Sequence, residues 1–147
     1  LVRNYFAGSL SKKFGVKEGT PLNDTLIEYC LKSDELGDPH ISSEHILNIG
    51  LCSFDELELI DEYALRINDI LRGIFYSIGI NLIDFKLEFG ICKKTKEVIL
   101  ADEISPDTCR LWDLKTNKKL DKDRFRRDLG DVEGAYQEVL ERLNIKS

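Results

Sequence analysis

The 147-residue sequence contains no methionine, one tryptophan and two histidines. It begins Leu1-Val2-Arg3, inside a strand-like run, and is expected to be the retained part of a longer protein. No run approaches the ~18 apolar residues of a membrane-spanning helix. Basic excess is also absent. The net charge is −6 and the pI about 5.0, which argues against broad nucleic-acid or membrane-surface binding and leaves room only for a local basic pocket. Cys30, Cys52, Cys92 and Cys109 form no C-x-x-C pair, so a zinc site is not expected. Three of them sit in apolar or structured contexts and read as buried free thiols, which fits a reducing cytoplasm. Asn23-Asp24-Thr25 matches a glycosylation sequon, but with no secretory signal it reads as chance. There is no Walker A motif, no G-x-G-x-x-G and no nucleophile elbow. His40 and His45 have no evident Ser or Cys partner and read as surface histidines. No internal repeat or low-complexity tract is present.

What remains is an ordinary globular composition, 42% hydrophobic and 33% charged, in a chain long enough for one domain with a core. Residues 1–147 read as one unit of α+β class, a mainly antiparallel sheet with flanking helices. Leu1 to Tyr5 is the tail of a strand. Residues 11–14 are a short helix stopped by Gly15, and Gly8-Ser9 before it offers N–H groups and a hydroxyl to an anion, or a plain cap. Residues 25–32 alternate as a strand. Ser42 or Ser43 caps a helix reaching Asn48 and closed by Gly50. Ser53-x-x-Glu56 is a capping box opening the longest helix, about Phe54 to Ser77, with Leu57, Ile60, Ala64, Ile67, Leu71, Ile74 and Ile78 as its apolar stripe. Residues 105–113 look too irregular for strand or helix, with Trp112 as a core anchor. A helix starting at Asp121 turns Phe125 and Leu129 inward and breaks at Gly130. Val132, Tyr136, Val139, Leu140 and Leu143 mark a final amphipathic helix.

The stretch Ile83-Asp84-Phe85-Lys86-Leu87-Glu88-Phe89-Gly90 alternates strictly and predicts one strand. Phe85, Leu87 and Phe89 then share an apolar face, and Asp84, Lys86 and Glu88 the other, about 7 Å apart. If the following hairpin closes symmetrically about Thr95, Glu88 stands opposite Asp102. Two facing carboxylates repel, and a cation between them removes that cost, with Mg²⁺ suited to hard oxygen ligands. A solvated hairpin face is an equal reading of the same stretch. Arg3, Lys86, Arg110 and Arg126 are cations suited to phosphate or carboxylate. Metal, cations and the Gly8-Ser9 turn together point to phosphoryl transfer by a nucleotide-dependent transferase or ligase.

Several blocks go further. Val2-Arg3-Asn4 with Ala7-Gly8-Ser9-Leu10, Asp84-Phe85-Lys86-Leu87-Glu88-Phe89-Gly90, Asp102-Glu103-Ile104-Ser105-Pro106-Asp107 with Arg110-Leu111-Trp112-Asp113, and Asp121-Lys122-Asp123-Arg124-Phe125-Arg126 together resemble the SAICAR synthetase family of purine biosynthesis. The resemblance spans essentially the whole chain. It implies the C-terminal part of an ATP-grasp-like fold, with an N-terminal ATP lobe of roughly ninety residues lying outside the chain. It implies a cytoplasmic, homo-oligomeric ligase taking ATP, carboxyaminoimidazole ribonucleotide (CAIR) and L-aspartate, with no nucleic-acid or membrane partner. Glu88 and Asp102 would hold Mg²⁺, and Lys86 would neutralise charge on the transferred group. Arg3, Ser9 and Arg110 would grip the CAIR 5′-phosphate. Arg126, with Arg124 and Lys122, would meet CAIR or aspartate. Asp84 and Asp107 would serve the ribose hydroxyls or stand behind the groups that do. Lys32 and Asp38 would lie near the aspartate. Tyr5-Phe6, Thr108-Cys109 and a longer hairpin loop depart from the family's usual pattern without removing any of these residues. A kinase-like phosphotransferase on another small acceptor and a catalytically incomplete nucleotide-binding fragment are the alternative readings.

Overall fold

A computed structural model describes residues 1–101, 104–127 and 129–143, without the side chains of Phe125 and Arg126. In chain order the elements are β1 Val2–Tyr5, α1 Gly8–Phe14, β2 Pro21–Ile27, β3 Tyr29–Cys30, β4 His40–Ile41, α2 Ser43–Ile49, α3 Phe54–Ser77, β5 Ile80–Phe85, β6 Phe89–Ile91, β7 Val98–Leu100, β8 Cys109–Asp113, α4 Asp123–Arg126 and α5 Val132–Arg142. The main sheet runs β2-β1-β5-β8, and every neighbouring pair is antiparallel. β3-β4 and β6-β7 are separate two-stranded ribbons. The expected α+β class, with an antiparallel sheet and flanking helices, is what the chain adopts.

Local chemistry explains the helix ends. Ser53 accepts from the Glu56 N–H while the Glu56 side chain returns to the Ser53 N–H, and Asp55 and Glu56 favour the positive end of α3. Ser42 and His45 close the same box on α2, with a ring nitrogen in place of the usual carboxylate. α3 packs across the sheet and buries Leu57, Ala64 and Phe75. Beneath the sheet ends, Val2, Ile80, Leu82, Phe85, Leu111 and Leu120 are 0–1% exposed. Each stabilises the fold by about 1.5–3 kcal/mol on burial, so the strand ends that carry polar side chains rest on a close-packed floor. Asn68 of α3 exchanges amide hydrogen bonds with Asn4 of β1 at 2.8 and 3.1 Å, inside the core. That pair fixes the helix against the sheet without leaving a buried amide unpaired.

Several expectations are corrected. The single strand over residues 83–90 is two elements. β5 starts earlier, at Ile80, and is buried along nearly its whole length, while β6 belongs to another ribbon. A register shift between Leu82 and Asp84 explains why alternation misled. The ribbon pairs Phe89 with Leu100 and Ile91 with Val98, and the Ala101 N–H donates to the Glu88 carbonyl at 2.8 Å. Its centre is therefore half a residue before Thr95, and Glu88 faces Ala101. A one-residue shift of this kind exchanges faces. Asp102 itself lies outside the described residues.

The irregular-looking 105–113 stretch contains β8, the strand next to β5. Its outer edge is lined by the 118–120 segment through Asp113–Lys118 and Leu120–Leu111 backbone bonds. Helix α1 begins at Gly8, not residue 11. The 25–32 strand is broken at Glu28 into β2 and β3, and β2 starts at Pro21. In α3, Ile74 is exposed and Phe75 buried, because the stripe drifts by one position towards its end. Leu129 and Leu140 are exposed. Of the four free thiols only Cys109 is buried.

Candidate active site

Three adjacent strands bring Arg3, Asp84 and Arg110 into one cross-strand row. Arg3 of β1 pairs in register with Asp84 of β5, which pairs with Arg110 of β8. The Asp84 carboxylate, 4% exposed, accepts from Arg3 Nη1 at 3.2 Å and from Arg110 Nη1 at 3.0 and 3.1 Å. Burial pushes the Asp84 carboxyl above the ordinary carboxylate range, and the two guanidiniums pull it back. Burial likewise works against the Arg110 charge. Asp84 and Asp123 outweigh it, and the Arg110 pKa is raised.

Each arginine is further anchored. Arg3 Nε is bonded to the Glu28 carboxylate, Nη1 reaches the Ala7 carbonyl at 3.4 Å and Nη2 the Ser9 hydroxyl at 3.2 Å. Arg110 Nε donates to Asp123 at 2.7 Å. Among the described residues its Nη2 has no hydrogen-bond partner, and it lies against Gly8. A Cβ added to Gly8 would sit 2.4 Å from that nitrogen, and Gly8 has φ +53°. Glycine is required there twice, for the backbone and for the close approach. Ser9 is not the helix cap. Ala7 holds that position, and the Gly8 N–H donates to Glu18 Oε1.

This row lines a cleft of about 220 Å³ together with Ser9, Lys86, Asp107, Lys122 and Asp123. The fold therefore gathers seven of the sequence-derived site residues in one place: Arg3, Ser9, Asp84, Lys86, Asp107, Arg110 and Lys122. Asp107 is exposed and accepts from the Tyr136 hydroxyl at 2.6 Å. Just past the end of β5, Glu88 takes Lys86 Nζ at 3.0 Å and Lys32 Nζ at 2.6 Å. Those two ammonium groups, Lys32 first, hold the Glu88 carboxyl below its usual range.

Three residues are not brought to the cleft wall. Asp38 closes the 33–38 turn by accepting from the Ser33 N–H at 2.7 Å. Arg124 spends Nε, Nη1 and Nη2 on the carbonyls of Gly130, Lys119 and Leu129. Lys32 is not a lining residue and pairs with Glu88 beside the cleft. Asp102 and the Arg126 side chain lie outside the described residues.

Sequence reasoning gave no role to Glu28, Asp121, Asp123, Glu18 and Arg127. Asp121 and Asp123 carried a local signal, alternate acids at a helix start. Glu28 and Glu18 carried none, since their partners are distant in sequence. Arg127 grips Glu18 with both terminal nitrogens, one bond being 2.8 Å, and this holds the Glu18 carboxyl down to about 2. Burial pushes the Cys109 thiol up to about 11, so beside Arg110 it is an inert wall and not a nucleophile.

A row of guanidiniums braced by buried carboxylates, with Arg3, Arg110 and Ser9 lining a polar cleft, suits a phosphate group. Among the described residues no group of three or more His, Cys, Asp or Glu is placed to hold a metal. Glu88 is a carboxylate that already attracts two ammonium groups. One or two carboxylates with substrate phosphates and water is the usual protein share of a Mg²⁺ site, so the described donor fits that ion.

Comparison with known proteins gives a consistent result. The family-level sequence model of SAICAR synthetase matches residues 1–143. The phosphoribosylaminoimidazole-succinocarboxamide synthase of Sphingopyxis alaskensis is 58% identical over 147 residues, covering 99% of this chain and 57% of that protein. The crystal structure of the synthase of that name from Ehrlichia chaffeensis superposes with a TM-score of 0.95 at 50% identity, over 99% of this chain and 63% of that one. A type-2 SAICAR synthetase in complex with ADP gives 0.93 at 49% identity, over 99% and 62%. The chain thus spans about three-fifths of the length of the relatives it matches.

Proposed function

The chain belongs to the SAICAR synthetase family, and from that premise we propose that it carries the ribonucleotide and amino-acid part of an ATP-dependent ligase that joins L-aspartate to CAIR in purine biosynthesis. The products are SAICAR, ADP and phosphate. A CAIR carboxylate oxygen attacks the γ-phosphorus of ATP and ADP leaves. The aspartate amine then attacks the resulting acyl carbon, phosphate leaves and the nitrogen loses a proton. The observation that carries this reading is the Arg3–Asp84–Arg110 row facing a polar cleft.

Arg3, Ser9 and Arg110 bind the CAIR 5′-phosphate, with Arg110 Nη2 turned to the ligand. Asp84 stands behind the arginines, because two guanidiniums already occupy its carboxylate. Asp107 is exposed at the cleft and takes a ribose hydroxyl. Lys86 neutralises charge on the transferred phosphoryl or on the acyl carboxylate. Glu88, with Asp102, holds Mg²⁺, which when bound screens the phosphate charges. Lys32 meets a carboxylate of aspartate once it is released from Glu88, and Asp38 organises the loop that follows it. Lys122 adds a cation to the cleft lining, Arg126 meets CAIR or the incoming aspartate, and Arg124 ties down the chain around α4 through main-chain carbonyls.

In the same reading the sheet is part of an ATP-grasp-like fold, ATP is the co-substrate, and the remainder of the enzyme covers it. The type-2 relative with bound ADP supports the co-substrate. The enzyme is cytoplasmic and homo-oligomeric. Four unpaired thiols agree with a reducing compartment, and the exposed Ile70 and Ile74, one turn apart on α3, agree with a covered face. Among the described residues no helix is long and apolar enough to cross a membrane.

The test uses the full-length enzyme with Glu88→Gln and, separately, Asp102→Asn. ADP release that needs both CAIR and aspartate should fall below detection in each. Unchanged turnover in both variants sinks the metal assignment. Product analysis separates ligase from kinase, since the ligase makes an amide and free phosphate and the kinase leaves a phosphorylated acceptor.

A further inference from the structure

The 118–120 segment pairs with the outer edge of β8 and then departs. At the point of departure the Leu111 N–H, an edge donor, would be left unpaired. The Asp121 side chain takes it, with Oδ2 at 2.7 Å, and its other oxygen accepts the Asp123 N–H at 2.8 Å. One carboxylate therefore bridges the strand that carries Arg110 and the first residue of α4. Asp123, placed by that bridge, holds Arg110 Nε at 2.7 Å. Asp121 is 1% exposed and lines the cleft. Its ionised form is costly there. Burial pushes its carboxyl up to about 6, against the pull of its two backbone donors. A buried charge kept at that cost is weak evidence of a stabilising role.

We propose that Asp121 is a positioning residue for anion binding: it fixes Asp123 against β8 and so aims the Arg110 guanidinium into the cleft. The inference rests on the reading of Arg110 as a phosphate-binding group. The chain of contacts is Asp121 to the Asp123 backbone, Asp123 to Arg110 Nε, and Arg110 Nη2 to the ligand. Asp121 touches neither ligand nor reacting atoms. The groups facing it are Asp123 and Arg110, with the Cys109 thiol of β8 beside it and Lys122 next in sequence.

Charge and positioning predict opposite signs, which makes the inference testable. Asp121→Asn removes a negative charge from the cleft wall, and by Coulomb's law alone an anion then binds more tightly. The amide, however, presents one acceptor where two donors converge. Positioning therefore predicts weaker binding, by about tenfold if one charge-assisted hydrogen bond to the anion is lost. The probe is inorganic sulfate, whose charge does not change between pH 5 and 8, titrated into wild type, Asp121→Asn and Arg110→Gln and followed by calorimetry and by amide NMR shifts. Weaker binding in Asp121→Asn, with Arg110→Gln also weakened, supports the proposal. Equal or tighter binding in Asp121→Asn, with Arg110→Gln weakened, overturns the proposal and leaves the anion site standing. Binding that Arg110→Gln does not change overturns the reading of the site and the proposal with it.

If Asp121→Asn does not fold, wild type alone decides. Protonating Asp121 between pH 7 and 5 also removes the charge and one acceptor. Acidification only adds positive charge to the chain, which favours anions. Sulfate binding that weakens on acidification runs against every charge effect and supports positioning, and binding that strengthens overturns it.

Discussion

Asp84→Asn is the perturbation that probes the site's framework most severely. In the native chain one carboxylate, 4% exposed, separates two guanidiniums on neighbouring strands and accepts from both within 3.0–3.2 Å. Asparagine preserves the shape but not the charge. Its carbonyl oxygen serves one arginine, its NH₂ meets the other donor to donor, and two buried cations face each other without compensation. Removing one partner of a buried ion pair costs about 3–5 kcal/mol. Glu28 and Asp123 still hold Arg3 and Arg110 from outside, which places the expected loss at the low end, about 3 kcal/mol. For a domain of this size that is roughly 6–12 °C in Tm. The assay is reversible urea unfolding of wild type and variant, followed by tryptophan fluorescence, since the single Trp112 lies in β8 beside the row. Repeating it with sulfate adds a sign. An anion that replaces the missing charge should recover part of the loss in Asp84→Asn and stabilise wild type less. A loss below about 1 kcal/mol, or equal salt effects on both proteins, refutes the argument that Asp84 is the counter-charge of the two arginines.

Other perturbations have defined outcomes. Gly8→Ala forces a side chain into a backbone with φ +53° and onto Arg110 Nη2. It should cost about 1–2 kcal/mol from the conformation alone in denaturant unfolding, and weaken CAIR binding as well. Glu88→Gln should change unfolding free energy by less than about 1 kcal/mol, because its lysine partners are largely exposed, while Mg²⁺-dependent nucleotide binding by the full-length enzyme falls sharply in calorimetry. The Glu18–Arg127 bridge stabilises the chain above the ordinary glutamate range. With the Glu18 carboxyl held down to about 2, that contribution is complete above about pH 4.5 and lost as pH falls towards 2. The pair is about one-third exposed, so about 1 kcal/mol is expected, read as the difference between wild type and Glu18→Gln in unfolding at pH 5 and pH 3.

Much of this was legible in the sequence because it is local. The Ser53 capping box and the three-four spacing located α3 to the residue, and Gly15 and Gly50 marked the ends of α1 and α2. The site cations and Asp84 were legible as residue types in ordered blocks. The register was not. The shift in β5 between Leu82 and Asp84 and the half-residue offset of the β6–β7 ribbon come from pairing, which one strand's alternation cannot report. β8 escaped notice because residues 105–108 form a turn that runs straight into it, and because a strand buried on both faces loses its period-two pattern. Glu28, Glu18 and Asp123 act through partners on other elements, so nothing in their own neighbourhood announced a role. Arg124 was legible as a cation, but its three main-chain acceptors belong to the tertiary path of residues 119–130.

The central claim is that the Arg3–Asp84–Arg110 row receives the phosphate of a ribonucleotide. The measurement closest to it is calorimetric titration of CAIR into the chain, wild type against Arg110→Gln, with the corresponding dephosphorylated riboside as a third arm. Loss of at least about tenfold in affinity on Arg110→Gln, the effect of one charge-assisted hydrogen bond, is expected, together with a similar or larger loss when the phosphate is removed from the ligand. Undiminished affinity in the variant, or a riboside that binds as tightly as the ribonucleotide, would contradict it.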